Sequence, residues 1–532
     1  MNDFDCIVVG SGAAGTMAAQ TLVEAGARVL MLDVGRSDTR FAGTIPQKTF
    51  VEIRRSEEDQ YRYFLGESFD CAGYATIGTG AQLTPPRRFI VDCVDELLAR
   101  RTGAFSPLES LALGGLAAGW GLMCAVYSPE ELERASLPAA AMRGAYQTIG
   151  DRIGISGSDA DDAAPYTVRQ LGGIQPPLPI DPTAAYLEGR YRRRRARVNA
   201  RGYVLGRPAM ALLTQPKADR SPSALRDMDF YCDDGAAWRP AWTIAQLQRH
   251  ANFAYAGNVF VTHFAEGEDV VTVAALDVRD RSRVQYAARR VVLAAGVLGS
   301  ARIVLRSLQS ALRLPLLCND YTYVPCVVAP RLGRSMPERT HSLTQLVLFN
   351  ERAAGDVAVG TIFSYRSLLL FRLLREMPLG VRDARSLMQY LLSGFIVAGF
   401  DHPQERSDGK HLWIEPDAAS PTADRLAIDY ALTQAERQDH HQRETEFAGI
   451  LASIGAWPIR RVHPPLGSSI HYAGTLPFAG DERPLTLAPN GRLHGTRSVF
   501  VADASGFTFL PAKPVTLSLM ANAHRVAGHA LH

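Results

Sequence analysis

The sequence predicts an α/β fold, α+β overall once its later strands are counted. Three observations carry that prediction. The first 33 residues run strand, glycine turn, helix, strand and terminal acid. A second strand–glycine–helix unit runs through Val291 to Ser307, and a late strand and helix follow Gly491. Parallel strands alternating with helices are the signature of a sheet covered on both faces.

The first unit is the most specific. Cys6 to Val9 is a short apolar run suited to a buried parallel strand. Gly10, Gly12 and Gly15 follow at GxGxxG spacing, and Ala13, Ala14 and the residues to Ala25 read as a helix. Gly10 permits a tight turn, Gly12 lets a pyrophosphate approach the backbone, and Gly15 lets helix and strand pack closely. The free N–H groups and positive end of that helix would face the phosphates. Gly26 closes the helix, and Arg28 to Leu32 forms a strand ending at Asp33. An acid there would accept hydrogen bonds from ribose hydroxyls. The spacing alone is weak evidence, since a glycine-rich turn of another fold also satisfies it; the ordered set of five features is strong.

Residues 40–110 are mixed, with turn signals at Thr79-Gly80 and Pro85-Pro86. The small-residue run from Leu113 through Gly114 and Gly115 to Trp120-Gly121 allows backbone to pass close to a flat ligand. Ser128-Pro129 reads as a helix start, with Ser128 as N-cap. Residues 155–182, rich in Pro, Asp and Gly, read as a surface loop. Arg190 to Arg197 carries six arginines, which suit an acidic partner but more commonly make a solvated face. The runs Val259–Thr262, Val270–Val273 and Val291–Leu293 alternate as a meander. The last of them leads into Ala294-Ala295-Gly296 and a helix over 300–307. Residues 320–350 and 358–364 are strand-like, and 365–400 read as apolar helix, in a core or lid rather than on a membrane surface.

Composition narrows the function. Hydrophobic residues make up 47%, enough for a large core, and Lys+Arg 57 against Asp+Glu 54 leaves no basic excess for nucleic acid. Seven scattered cysteines without a CxxC pair argue against a zinc site or disulfide framework, so no metal is expected. No apolar run reaches the ~18 residues of a spanning helix. The expectation is a cytoplasmic protein without a membrane span.

These motifs, in this order, resemble the glucose–methanol–choline (GMC) oxidoreductase family, in its bacterial form. The resemblance spans the chain: the GxGxxG unit to Asp33, the Gly114-Gly115 loop, Ala294-Ala295-Gly296, the H-x-x-G-T motif His471 to Thr475, and Gly491-Arg492 followed by Asp503-Ala504-Ser505 and a helix over 516–531. It implies a Rossmann-like FAD-binding domain interleaved with an antiparallel-sheet substrate domain. The expected ranges are 1–40, 95–135, 186–310 and 462–532 for the first, and 41–94, 136–185 and 311–461 for the second. Expected FAD contacts are Gly10, Gly12, Ala13, Ala14, Gly15, Asp33, Gly114, Gly115, Val261, Ala295, Gly296, Asp503 and Ala504. It also implies oxidation of a small-molecule alcohol, sugar-like or a secondary-metabolite hydroxyl. Hydride would pass to flavin N5, His471 would act as base, and oxygen or another acceptor would reoxidise the flavin. A neutral imidazole at working pH suits that base.

Two departures stand out. Family members carry a second polar residue, Asn or His, about forty residues after the histidine; here Pro514 holds that position, at 514 − 471 = 43. Proline offers neither a hydrogen-bonding side chain nor an N–H. Lys513, one residue earlier, is the alternative occupant of the site. Some relatives also attach FAD through a loop histidine; Gly119 stands there, so the FAD is expected to be non-covalent. Pro514 keeps two other readings open: a non-redox or unusual flavoenzyme, lyase-like or decarboxylase-like, and a flavin-binding protein without catalysis.

Overall fold

Cys6–Val9 is buried at every position, as an apolar strand covered on both faces must be. In the computed structural model, which describes residues 4–37, 48, 53, 57–59, 61–67, 85–225, 235–337, 339–364 and 378–531, it is the middle strand of a five-stranded sheet. The order is Val499–Val501, Arg290–Leu293, Cys6–Val9, Val29–Leu32 and Phe253–Ala256, all parallel. The helix Ala13–Glu24 makes the first crossover. It ends as the sequence predicts: Gly26 takes φ +89°, its N–H reaches Val23 O at 2.9 Å, and the Ala27 N–H reaches Leu22 O at 3.0 Å. The last helix, Thr516–His529, packs beside it, and Ala139–Ile153 packs on that helix in turn. Two of the three runs predicted as a meander, within Val259–Glu266 and Val271–Asp277, form a three-stranded antiparallel sheet with Arg283–Ala288 next to the helix Val297–Ser307, whereas the third, Val291–Leu293, belongs to the parallel sheet.

A second sheet is antiparallel throughout. Its six strands run Trp457–Pro458, Tyr321–Val327, Phe395–Asp401, Asp356–Ser364, Thr344–Ala353 and Tyr203–Gly206. One face packs on the helices Pro182–Asn199 and Gln434–Ser453 through Leu187, Tyr191, Phe447 and Ile450. Both helices are capped by side chains. Asp181 accepts from the N–H groups of Thr183 and Ala184 at 2.8 Å, and Thr433 forms a reciprocal capping box with Glu436. Ser128 and Glu131 do the same for Pro129–Arg134.

Several expectations need correction. Tyr203–Gly206, placed by sequence with the nucleotide domain, pairs with Thr344–Ala353 in the antiparallel sheet. Ala139–Ile153, placed with the substrate domain, packs instead on the final helix. Residues 155–182 are not simply a surface loop: they hold the short helix Ala164–Thr167, and Ile155, Ser156, Val168 and Asp181 are buried. The apolar stretch 365–400 is only partly helical. Val381–Leu391 is a helix, whereas Phe395–Asp401 is a central strand, and 365–377 lie outside the described residues. Thr79-Gly80 also lies outside them. The arginine run sits on Pro182–Asn199 with Arg192, Arg193, Arg195 and Arg197 exposed, and Arg195 is paired with Asp162 at 2.7 Å. Five cysteines among the described residues are free thiols, and no described helix is long and apolar enough to cross a membrane.

The close approach of helix and strand at Gly15 can be tested directly. A Cβ on Gly15 would lie 1.9 Å from Gly10 O, where only backbone could give way. Gly15→Ala should therefore lower unfolding stability by ~1–3 kcal/mol. A chemical denaturation midpoint equal to that of the unsubstituted protein would show that the contact carries no such strain.

Candidate active site

The strand ends and glycine turns of the parallel sheet open onto one cavity of about 610 Å³, and the free face of the antiparallel sheet forms its opposite wall. Gly10 starts the turn at φ +98°, and a Cβ there would meet Ala294 O at 2.6 Å. Gly12 is different: its nearest obstacle is Gly114 O at 4.0 Å, so its missing side chain leaves open space rather than relieving a clash. Ala13 and Ala14 follow on the first turn of the helix and also line the cavity.

Asp33 ends its strand as expected. Its Oδ2 accepts from the Ser11 hydroxyl and, at 3.2 Å, from the Tyr255 phenol. Burial pushes its carboxyl up to about 7, against those hydrogen bonds. Ser11 Oγ also accepts from the Gly114 N–H at 2.9 Å. One hydroxyl thus ties the nucleotide-type turn to the Gly114-Gly115 loop, where both glycines have positive φ. Gly15 and Gly114 support the wall from behind, while Gly115, Val261, Ala295 and Gly296 face the cavity. Asp503 and Ala504 face it too. Asp503 accepts from Ser300 Oγ at 2.6 Å and from the Ser505 N–H at 2.9 Å; burial raises its carboxyl.

His471 lies on the cavity wall. The two-residue ladder Leu317-Cys318 against Tyr472-Ala473 sets its place. Ile470, immediately before it, holds φ +67°, a left-handed conformation costly for a β-branched residue. The Tyr472 hydroxyl locks this turn, donating to Gly467 O at 2.6 Å and accepting from the Leu108 N–H at 2.9 Å. Gly474 of the same motif has φ +83°, and a Cβ there would press on Leu317 and Phe507 O at 3.0 Å.

The orientation of the His471 ring follows from Asn319. The Asn319 amide nitrogen donates to two carbonyls, His402 O at 2.8 Å and Pro511 O at 3.1 Å. Carbonyls only accept, so Asn319 Oδ1 must be the atom facing His471 Nδ1 at 3.2 Å. Nδ1 therefore carries the proton in the neutral ring, and Nε2 keeps its lone pair without a hydrogen-bond partner among the described residues. Burial pushes the imidazole down to about 4, so it is neutral at pH 7. Asn319 was not singled out in the sequence. Its only local signal is a short Asn-Asp turn before a strand, with nothing to point 152 residues ahead.

Of the two residues considered for the second polar position, Pro514 lines the cavity with Val515 and Thr516, at the N-terminus of the last helix. Lys513 does not belong to the site. Its Nζ turns away to form a buried ion pair with Glu131 and a 3.0 Å hydrogen bond to Val126 O. Burial raises the Glu131 carboxyl against the pull of Lys513. Among the described residues no cluster of three or more metal-ligating side chains occurs.

Comparisons with known proteins agree with this geometry. Residues 408–523 match the family model of the GMC oxidoreductase C-terminal region, described as GMC oxidoreductase. That matched stretch covers the C-terminal motifs of the chain and is similar to the GMC oxidoreductases. GMC oxidoreductases generally bind FAD. No curated protein matches the sequence. Among solved structures it is similar to pyridoxine 4-oxidase from Mesorbium loti, at 15% identity and TM-score 0.61, over 100% of this chain and 99% of that one. At that identity the likeness concerns the fold.

The Lys513–Glu131 pair makes a sharp stability test. Lys513→Met alone strands a buried carboxylate and should cost ~3–5 kcal/mol, whereas Lys513→Met with Glu131→Leu should recover most of it. Equal losses in the single and double variants, measured by urea unfolding, would rule out this account.

Proposed function

We propose that this chain is a GMC oxidoreductase that oxidises a CH–OH group of a small-molecule alcohol, with FAD bound non-covalently and His471 as the base. The observation that carries the reading is the oriented, neutral His471 beside a cavity whose far end is the Gly10–Gly15 turn. When bound, FAD would supply a ring that accepts one hydride, that is, two electrons and a proton.

The residues fit that cofactor. The empty Cβ position of Gly12 leaves room for a diphosphate at the N-terminus of Ala13–Glu24. Asp33, held by Ser11 and Tyr255, lines the cavity where it would accept from a ribose hydroxyl. Gly114, Gly115, Val261, Ala295, Gly296, Asp503 and Ala504 are the proposed remaining contacts or their supports. No cysteine among the described residues lines the cavity, and its one lining histidine is His471, already committed to Asn319. That supports dissociable FAD.

His471 Nε2 would accept the substrate hydroxyl proton, while Asn319 holds the ring and its tautomer. Pro514 cannot provide a second hydrogen bond. Ser468 Oγ, buried without a hydrogen-bond partner among the described residues and on the same wall, is our candidate for that contact. The vacant polar position at Pro514 also supports a second reading, a GMC-type flavoenzyme whose flavin is not turned over.

Anaerobic bleaching of the bound flavin separates the two readings. A panel of alcohols should contain at least one class that bleaches it; bleaching by dithionite alone would favour the non-redox reading. His471→Ala should slow reduction by ~10²–10⁴-fold. An undiminished rate would remove His471 from the base role. Because burial holds His471 near 4, kcat/KM governed by this base should persist from neutral pH downward and fall only as pH approaches about 4. An acid limb at an ordinary histidine value would contradict its desolvation. Acid precipitation should release all flavin into the supernatant, and colour retained in the pellet would mean a covalent link.

A further inference from the structure

Four strands of the antiparallel sheet contribute residues to the cavity wall, and their side chains there differ sharply in character. Along Phe395–Asp401, Val397, Gly399 and Asp401 face the cavity, while Ile396, Ala398 and Phe400 pack into the core beneath. The alternation is that of a two-sided strand. Asp401 is thus aimed into the cavity by the pleat, at the end of a strand whose other inward residues are apolar or lack a side chain.

Its position relative to His471 follows from the backbone. Asp401 pairs with Tyr321 on one side and Val359 on the other. The next residue, His402, donates its N–H to Asp320 O at 2.9 Å and accepts from Asn319 at 2.8 Å through its own carbonyl. Asn319 is the residue that orients His471. Asp401 therefore adjoins the segment that fixes the base.

The other carboxylates of the cavity are engaged. Asp33 is held by Ser11 and Tyr255, Asp503 by Ser300 and Ser505, and Glu109 by Arg302 at 3.0 Å. Arg306, also on the wall, is paired with Asp424 at 2.7 Å. Asp401 has no hydrogen bond or ion pair among the described residues. Burial, reinforced by the nearby Asp320 carboxylate, raises it to about 8. A carboxyl placed this way costs stability and contributes nothing to the packing around it. Its cost is repaid only by something that enters the cavity.

We infer that the substrate of this cavity is an alcohol that also carries a basic nitrogen, and that Asp401 receives that nitrogen. The inference rests on the alcohol-oxidising reading above. The chemistry selects a nitrogen base in either state of arrival. An ammonium pairs with the carboxylate directly; a free amine or ring nitrogen takes the proton that the buried carboxyl holds. Both routes end in the same charge-assisted hydrogen bond. The walls suit it as well: Tyr321 and Tyr323, packed edge to face at 5.0 Å, and Phe363 border the same space and offer aromatic faces to a cation. With no cluster of three metal ligands among the described residues, a bound metal ion is not the expected occupant.

The test uses the FAD-loaded enzyme and matched pairs of alcohols, aliphatic and benzylic, in which an amine or ring nitrogen is present or replaced by carbon. One such pair is 4-(aminomethyl)benzyl alcohol and 4-methylbenzyl alcohol. The intact enzyme should favour a nitrogen-bearing member in kcat/KM, and Asp401→Asn should remove that preference by roughly 30-fold or more while sparing the carbon analogue. Calorimetry with 4-methylbenzylamine, which has no hydroxyl to oxidise, reads the same pair without turnover. Its affinity should fall in Asp401→Asn and survive in His471→Ala. Amine binding that depends on Asp401, with no alcohol reducing the flavin, would sustain the nitrogen site and sink the oxidation reading. Preference for the carbon member of every pair would overturn the inference, as would a nitrogen preference untouched by Asp401→Asn. If Asp401→Asn fails to fold, the ranking of pairs by the intact enzyme decides alone.

Discussion

The strand Arg290–Leu293 is hydrogen-bonded on one side to Cys6–Val9 and on the other to Val499–Val501. The rest of the molecule depends on that double pairing, because it brings three remote segments to one sheet edge. The glycine turn after Val9, the Gly296 turn after Leu293 and the Asp503 turn after Val501 then open on the same side, as parallel register requires. Each turn is followed by a helix or helical turn whose first residues line the cavity. The concentration of ligand-facing backbone at one end of the sheet is a direct consequence of parallel pairing.

The second wall obeys a different rule. In the antiparallel sheet, alternate residues belong to alternate environments: one set joins the helices Pro182–Asn199 and Gln434–Ser453 in an apolar core, and the other faces the cavity. Leu317-Cys318 and Tyr472-Ala473 connect this wall to the first. The short ladder is the hinge of the chemistry, since it sets Asn319 against His471 and thereby decides which ring nitrogen is free. The strained Ile470 is tolerated because Tyr472 and Gly467 fix the turn around it.

Charge is handled differently in the supporting structure and at the cavity. Lys513 with Glu131 and Arg302 with Glu109 are buried as complete pairs. Each would be expensive to split and is therefore a poor place for substrate chemistry. His471 and Asp401 are the reverse: one has a free nitrogen and the other an unpaired carboxyl, and both face space. Burial drives the shifted titration of both, and the Asp320 carboxylate adds to that of Asp401.

How much of this was legible depends on whether the determining contacts are local. The turn at Gly10 and the acid at Asp33 could be read because the glycine spacing and the strand end that mark them lie within one short stretch of the chain. Phe395–Asp401 was misread as helix because a strand among apolar neighbours gives the same unbroken apolar run as a buried helix. Lys513 was a one-residue ambiguity in a loop without periodicity, and only packing around Glu131 resolves it. By itself, then, the sequence determined the nucleotide-type turn, the helix end at Gly26, the cap at Ser128 and the position of the H-x-x-G-T motif. Tertiary structure alone decided the Asn319 clamp, the exile of Lys513 and the exposure of Asp401 to the cavity. Those depend on pairing between segments far apart in the chain, and spacing along one strand of sequence carries no record of such pairing.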